Sequence, residues 1–161
     1  YNIPLDEYPR RCINQIENWK KDREKYMHDD VTHTRTTEYA SYIMEAIVTD
    51  IPYKIGGNVI NNGLIPNLPA EACVEVACLV NKNGIQPCAQ KPLPLQLAAM
   101  NSAMIGVQLL TIEAAVTQKK ETIYQAAMLD PHTSSELSID EIIRLCDDLI
   151  EAHGSYLPKY H

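Results

Sequence analysis

The residues with the means to do chemistry are few, and they cluster in one stretch, GGNVINNGLIPNLPAEACVEVACLV, residues 56–80. Asn58, Asn61, Asn62 and Asn67 place four carboxamides on a short segment braced by Pro66 and Pro69. Such a segment suits recognition of hydroxyl groups, as in a sugar site. Turn formation accounts for Asn61 and Asn62 with no ligand at all, because Asn and Gly tolerate positive φ and Asn61-Asn62-Gly63 is a strong turn signal. Glu75 is a carboxylate inside an apolar alternation. It reads either as part of a half-exposed strand face or as a buried functional acid.

The other reactive side chains read more plainly. Cys73 and Cys78 resemble a metal pair, but five residues apart on a strand they face opposite ways, so we read strand thiols. Cys12 and Cys146 fall on apolar helix faces and read as core. His28 and His33, with Asp29 and Asp30, form a polar connection that reads as solvated loop, since a loose loop loses ordering entropy on gripping a metal. His153 sits near a helix C-terminus, where it meets the dipole favourably. Asp147 and Asp148 point about 100° apart on a helix and read as solvated surface, not as an acid/base pair. No G-x-G-x-x-G, Walker loop, H-E-x-x-H, C-x-x-C or G-x-S-x-G occurs, and the first 55 residues hold no glycine.

The elements that carry these residues follow from periodicity. A helix is predicted over 5–27, with Asp6 at the N-cap and Tyr8, Cys12, Ile16, Trp19 and Tyr26 at helical spacing. A second runs over 37–48 and is stopped by Asp50-Ile51-Pro52. Strands are predicted over 53–60 and 72–80, with a short return at 85–89 after Asn81-Lys82-Asn83-Gly84. In the middle strand Val74, Val76, Cys78 and Val80 take one face, and Cys73, Glu75, Ala77 and Leu79 take the other. A nearly uncharged helix over 94–117 reads as buried or as a subunit interface. Gln96, Asn101, Ser102, Gln108 and Thr111 within it argue against a membrane span. Another helix covers 120–129 and ends at Asp130-Pro131. Ser138-Ile139-Asp140-Glu141 is a capping box that opens a last helix, with Gly154 as its stop. Its buried face is expected to hold Ile139, Ile142, Ile143, Cys146, Leu149 and Ile150. The fold class is therefore α+β, mostly helical: a small two- or three-stranded antiparallel sheet packed by about five helices.

The totals fit one domain over residues 1–161. A net charge of −7 with no basic stripe excludes a nucleic-acid partner, and no basic amphipathic face exists for an anionic membrane. Five cysteines, an odd number at irregular spacing, imply reduced thiols in a cytoplasm. The start at Tyr1, not Met, suggests a piece of something larger.

At the central stretch the sequence resembles the C-terminal part of the family 4 glycoside hydrolases, where N-x-G-x-I-x-N-L-P is followed shortly by V-E-V. Here these are Asn61, Gly63, Ile65, Asn67, Leu68 and Pro69, then Val74, Glu75 and Val76. NIPLDEY, EYASYIMEAI, VNKNGIQP, LPLQLAAM, AAMLDPHT and DDLIEAHGSYLP extend the likeness to the α-galactosidase (melibiase) branch over nearly the whole chain. The resemblance implies the C-terminal half of a lactate/malate dehydrogenase-type fold. It also implies an enzyme that cleaves α-galactosides with NAD and manganese, by oxidation at carbon 3, proton loss at carbon 2, elimination, water addition and re-reduction. The Rossmann glycines, the metal-binding Cys and His, and the tyrosine base of that family lie upstream of the matching segment. No catalytic, cofactor or metal residue carries over. The expectation is an NAD-binding domain absent from this chain, a fragment inactive alone, a homo-oligomer through helix 94–117, and Asn61 and Asn67 lining the sugar/cofactor cleft.

Overall fold

The computed structural model describes residues 3–29 and 34–161. They fall into two compact units, residues 1–38 and 39–161. Asp30 and His33, considered above with His28 as possible metal ligands, lie outside the described residues.

The first unit is built on α1 (Glu7–His28). Asp6 occupies the N-cap but its side chain caps no backbone N–H. It pairs instead with Arg10 one turn on, at 3.1 Å, while Glu7 reaches Arg11 at 3.5 Å. None of the residues of α1 is buried, so the apolar spacing of Ile16, Trp19 and Tyr26 describes an exposed stripe.

The second unit begins with α2 (Ala40–Thr49), which ends at Asp50 in the left-handed region (φ 61°). Asp50 then serves a distant turn. Its carboxylate accepts from the Lys82 backbone N–H at 3.3 Å and pairs with the Lys82 ammonium at 2.9 Å. The Tyr42 and Tyr53 rings stack at 5.2 Å between centroids, joining α2 to the first strand.

Strands β1 (Tyr53–Ile60), β2 (Cys73–Asn81) and β3 (Gly84–Pro87) form one antiparallel sheet in the order β1-β2-β3. All eight residues of β1 pair with β2, whereas β3 pairs only with Cys78–Asn81. The first half of β2 is therefore an open edge on that side. The alternation predicted for β2 is observed: Val74, Val76, Cys78 and Val80 are buried, and Cys73, Glu75, Ala77 and Leu79 are exposed.

Helix α3 (Leu95–Thr117) places Ala98 and Ile105 into a core cluster with Val74, Val76, Cys78 and the loop residues Ile65 and Leu68. Among the described residues α3 is the one helix long and apolar enough to cross a membrane. Of its buried residues, Ala98 and Ile105 share the side facing the sheet, and Ala114 lies about 160° round the helix from Ala98. Met100, away from the Ala98/Ile105 side, is 61% exposed. Burial therefore accounts for only part of this apolar helix, and the exposed remainder is the part to which the subunit-interface reading applies.

Helices α4 (Lys120–Leu129), α5 (Pro131–Glu136) and α6 (Ile139–His153) complete the fold. The short α5 follows directly on the Asp130-Pro131 stop predicted for the helix before it. Asp130 caps it, accepting from the Thr133 N–H at 2.8 Å, with Pro131 in the first turn. The capping box of α6 is present: Glu141 Oε2 accepts from the Ser138 N–H at 2.8 Å and from the Ser138 hydroxyl at 2.6 Å. Ile142 and Cys146 are buried on α6, while Ile139 and Leu149 of its predicted face stay exposed.

Candidate functional site

The loop between β1 and β2 is folded by its own asparagine. Asn61 is wholly buried. Its Nδ2 donates to the carbonyls of Ile65, Leu68 and Pro69, each at 3.0 Å, and its Oδ1 accepts from the Ile65 N–H at 2.7 Å. Its backbone N–H donates to the Ala72 carbonyl at 2.8 Å, which closes the loop at its far end. Asn62 (φ 40°) and Gly63 (φ 85°) make the left-handed turn that bends the chain around that carboxamide.

Asn67 performs a second clamp. Its Nδ2 donates to the Leu93 carbonyl at 2.8 Å and its Oδ1 accepts from the Leu93 N–H at 2.9 Å. Together with the Gln90 N–H bonded to the Leu64 carbonyl at 2.7 Å, this pins the segment leading from β3 to α3 against the loop. The two residues expected to line a sugar cleft therefore use their carboxamides on backbone. Asn61 presents no surface, and Asn67 has both side-chain polar atoms engaged.

Two hollows flank this clamp. The larger, about 870 Å³, is lined by Lys54, Gly56, Glu75, Ala77, Gln90 and Lys91 among others. The smaller, about 340 Å³, lies against α3 and is lined by Cys73, Glu75, Asn101, Met104 and Gln108 among others. Glu75, Ile65 and Leu93 line both. The side chains with chemistry at this place are therefore Glu75, the Cys73 thiol, two lysines and three carboxamides, and not the asparagines of the loop.

The remaining candidates lie elsewhere. Cys73 is exposed and Cys78 buried, on opposite faces as expected, and all five cysteines are free thiols. Asp147, read from sequence as solvated surface, keeps a 44% exposed side chain and is also bonded to the Tyr124 hydroxyl at 2.6 Å and the Lys120 ammonium at 2.7 Å. Lys120, then Tyr124, hold the Asp147 carboxyl below the usual carboxylate range. The bond to Asp147, followed by the tyrosine, raises the Lys120 ammonium, and Asp147 chiefly raises the Tyr124 phenol. Burial, then the Asp147 charge, pushes the Cys146 thiol up. His153 Nδ1 lies 2.7 Å from the Leu149 carbonyl in the last turn of α6, the place expected for it.

Among the described residues no three His, Cys, Asp or Glu side chains converge as metal ligands. The turns of the sheet are asparagine-rich, and none presents a glycine-rich dinucleotide cradle. These residues do not fit NAD or manganese.

A three-stranded antiparallel sheet with this loop and long helix has the fold found in solved dehydrogenase-like glycosidases. The chain belongs to the family 4 glycosyl hydrolases: residues 1–133 match the family's C-terminal domain. It is 58% identical over 159 residues to an alpha-galactosidase of Bacillus subtilis, covering 98% of this chain and 37% of that protein. The chain thus spans little more than a third of that curated relative. Its fold matches a 6-phospho-beta glucosidase from Thermotoga maritima with TM-score 0.75 and 22% identity, covering 92% of this chain and 36% of that one. It also matches a 6-phospho-alpha-glucosidase from gut microorganisms, crystallised with NAD and Mn²⁺, with TM-score 0.73 and 18% identity, over 86% of this chain and 32% of that one. At these identities the two structures establish the fold.

Proposed function

We infer that the chain is the C-terminal domain of an NAD- and Mn-dependent α-galactosidase that hydrolyses α-galactosides such as melibiose by redox-assisted elimination. The high identity to the alpha-galactosidase relative along almost the whole chain carries this reading. Residues 1–161 are in this view one C-terminal part, for substrate and oligomer contacts. The Rossmann domain, the metal ligands and the base stand upstream. What this chain supplies is a wall of the cleft, shaped by Asn61 and Asn67 from within: Asn61 folds the loop and Asn67 fixes the entry to α3. The five free thiols accord with a cytoplasmic place.

The chain alone, given NAD, Mn²⁺ and a thiol reductant, is expected to release no nitrophenol from p-nitrophenyl α-galactoside. Turnover above the buffer rate would overturn the reading. So would failure of the upstream part of the enzyme, joined to this chain, to restore hydrolysis.

The exposed apolar face of α3 supports a second reading, a stand-alone helical dimerisation module. The oligomer contact belongs to both readings. Only the restoration of activity separates them.

A further inference from the structure

We propose that Glu75 is the hydroxyl-binding group of a glycoside subsite formed by the two hollows beside the Asn67 clamp. The class of ligand rests on the reading of the chain as part of a glycosidase. The location rests on geometry alone.

Glu75 projects from β2 on the exposed face of the sheet, opposite Asn58 of β1. Its carboxylate leans over Gly56, whose neighbouring strand position is filled by Ala77. A Cβ on Gly56 would lie 3.0 Å from Glu75 Oε1, so the acid rests against bare backbone. Among the described residues Glu75 has neither an ion pair nor a hydrogen bond, although Lys54 and Lys91 line the same hollow. Their ammonium groups are likewise without a carboxylate partner among the described residues. A carboxylate with free lone pairs, lysines that balance it at a distance, and small floor residues make a place for a polyhydroxylated ring. The acid accepts from two ring hydroxyls, Gln108 can both give and accept, Gln90, whose Nε2 already donates to the Cys88 carbonyl at 2.9 Å, offers its oxygen, and Gly56 and Ala77 leave room for the ring. Because Glu75 borders both hollows, one sugar can sit on each side of it.

The experiment is a titration of the ¹⁵N-labelled 161-residue chain with methyl α-galactopyranoside, repeated with Glu75→Gln and with methyl α-glucopyranoside. The expected result is saturable shifts of the Gly56, Asn58, Ala77 and Gln108 amides. Binding should weaken roughly tenfold or more in Glu75→Gln, since hydrogen bonds to a charged group are the stronger kind. Unchanged amide positions elsewhere in the variant would show that it folds. No shift at these amides, or shifts that survive Glu75→Gln, would overturn the proposal. Equal binding of galactoside and glucoside would leave the subsite standing and count against the galactosidase reading instead.

Discussion

Asn67 and Leu93 are joined by two hydrogen bonds, 2.8 and 2.9 Å long, across 26 residues of chain. The side-chain amide imitates one rung of a β-ladder, because it offers a donor and an acceptor with the spacing of a peptide group. It holds the segment from β3 to α3 where no strand pairing reaches. Replacing Asn67 with Ala removes both bonds from an exposed site, where water takes over part of the loss. The expected destabilisation is about 1–2 kcal/mol. Hydrogen exchange should show residues 88–94 opening faster while β1 and β2 keep their protection. Unchanged exchange at the Leu93 amide would show that the clamp is not what fixes this segment.

Asn61→Ala should be far more harmful, since the side chain is fully buried and serves four backbone groups. Each buried group left unpaired costs about 1–3 kcal/mol, so a total loss on the order of 3 kcal/mol or more is expected. Thermal unfolding followed by circular dichroism measures it. A melting temperature within a degree or so of the parent would mean that water enters and replaces the carboxamide.

The two adjacent glycines of β1 should differ. A Cβ on Gly57 would lie 2.7 Å from the Sγ of Cys78, which is itself wholly buried. A Cβ on Gly56 meets only the far end of the Glu75 side chain, which can swing away. Gly57→Ala should therefore lose about 1–3 kcal/mol by overpacking, and Gly56→Ala much less. Adding Cys78→Ala should recover part of the loss at Gly57. Equal losses at the two glycines in chemical denaturation would contradict this account.

These contrasts mark how far the sequence alone carries. The period of two in residues 73–80 specifies which side of β2 is core, and Val74 through Val80 obey it, because burial on one face leaves no other register. The turn at Asn61-Asn62-Gly63 and the Ser138/Glu141 box are equally legible, since each is a local contest among a few backbone groups. What Asn61 and Asn67 bond to was not legible: the same carboxamide serves a loop or a ligand, and Leu93 is remote in sequence. The partners of Asp147 were not legible for the same reason, since Lys120 and Tyr124 come from another helix. The helix α5 did leave a signal, Asp130-Pro131 with Thr133, which reads as a helix start as readily as a helix end.

The apolar side of α3 gives a prediction about assembly. Leu97, Met100 and Met104 share one side at helical spacing, and all three are exposed in this chain. If this side meets a second copy, Met100→Glu places a charge in the contact and should shift the mass seen by light scattering toward the single chain. The circular dichroism of the variant should not change, because Met100 lies outside the core cluster. An unchanged mass with intact helicity would move the oligomer contact to another surface.

The Lys120–Asp147–Tyr124 cluster makes a prediction about pH. The Lys120 ammonium and the Tyr124 hydroxyl lower the Asp147 carboxyl in the folded chain. A carboxyl lowered on folding binds fewer protons folded than unfolded. Its contribution is therefore present above its unfolded value, near 3.9, and is lost as pH falls through its folded value. Lys120, raised chiefly by the same bond, contributes below its unfolded value, near 10.4, and loses that contribution as pH rises toward its folded value. The stabilising window of the pair thus spans the neutral range and closes at both ends. Asp147→Asn removes the charge and keeps the shape. Its deficit relative to the parent should be constant at neutral pH and shrink in acid, once the parent carboxyl is protonated too. Thermal melts of both proteins from acid to neutral pH test this, and a deficit that persists undiminished in acid would show that the contact works through shape and not through charge.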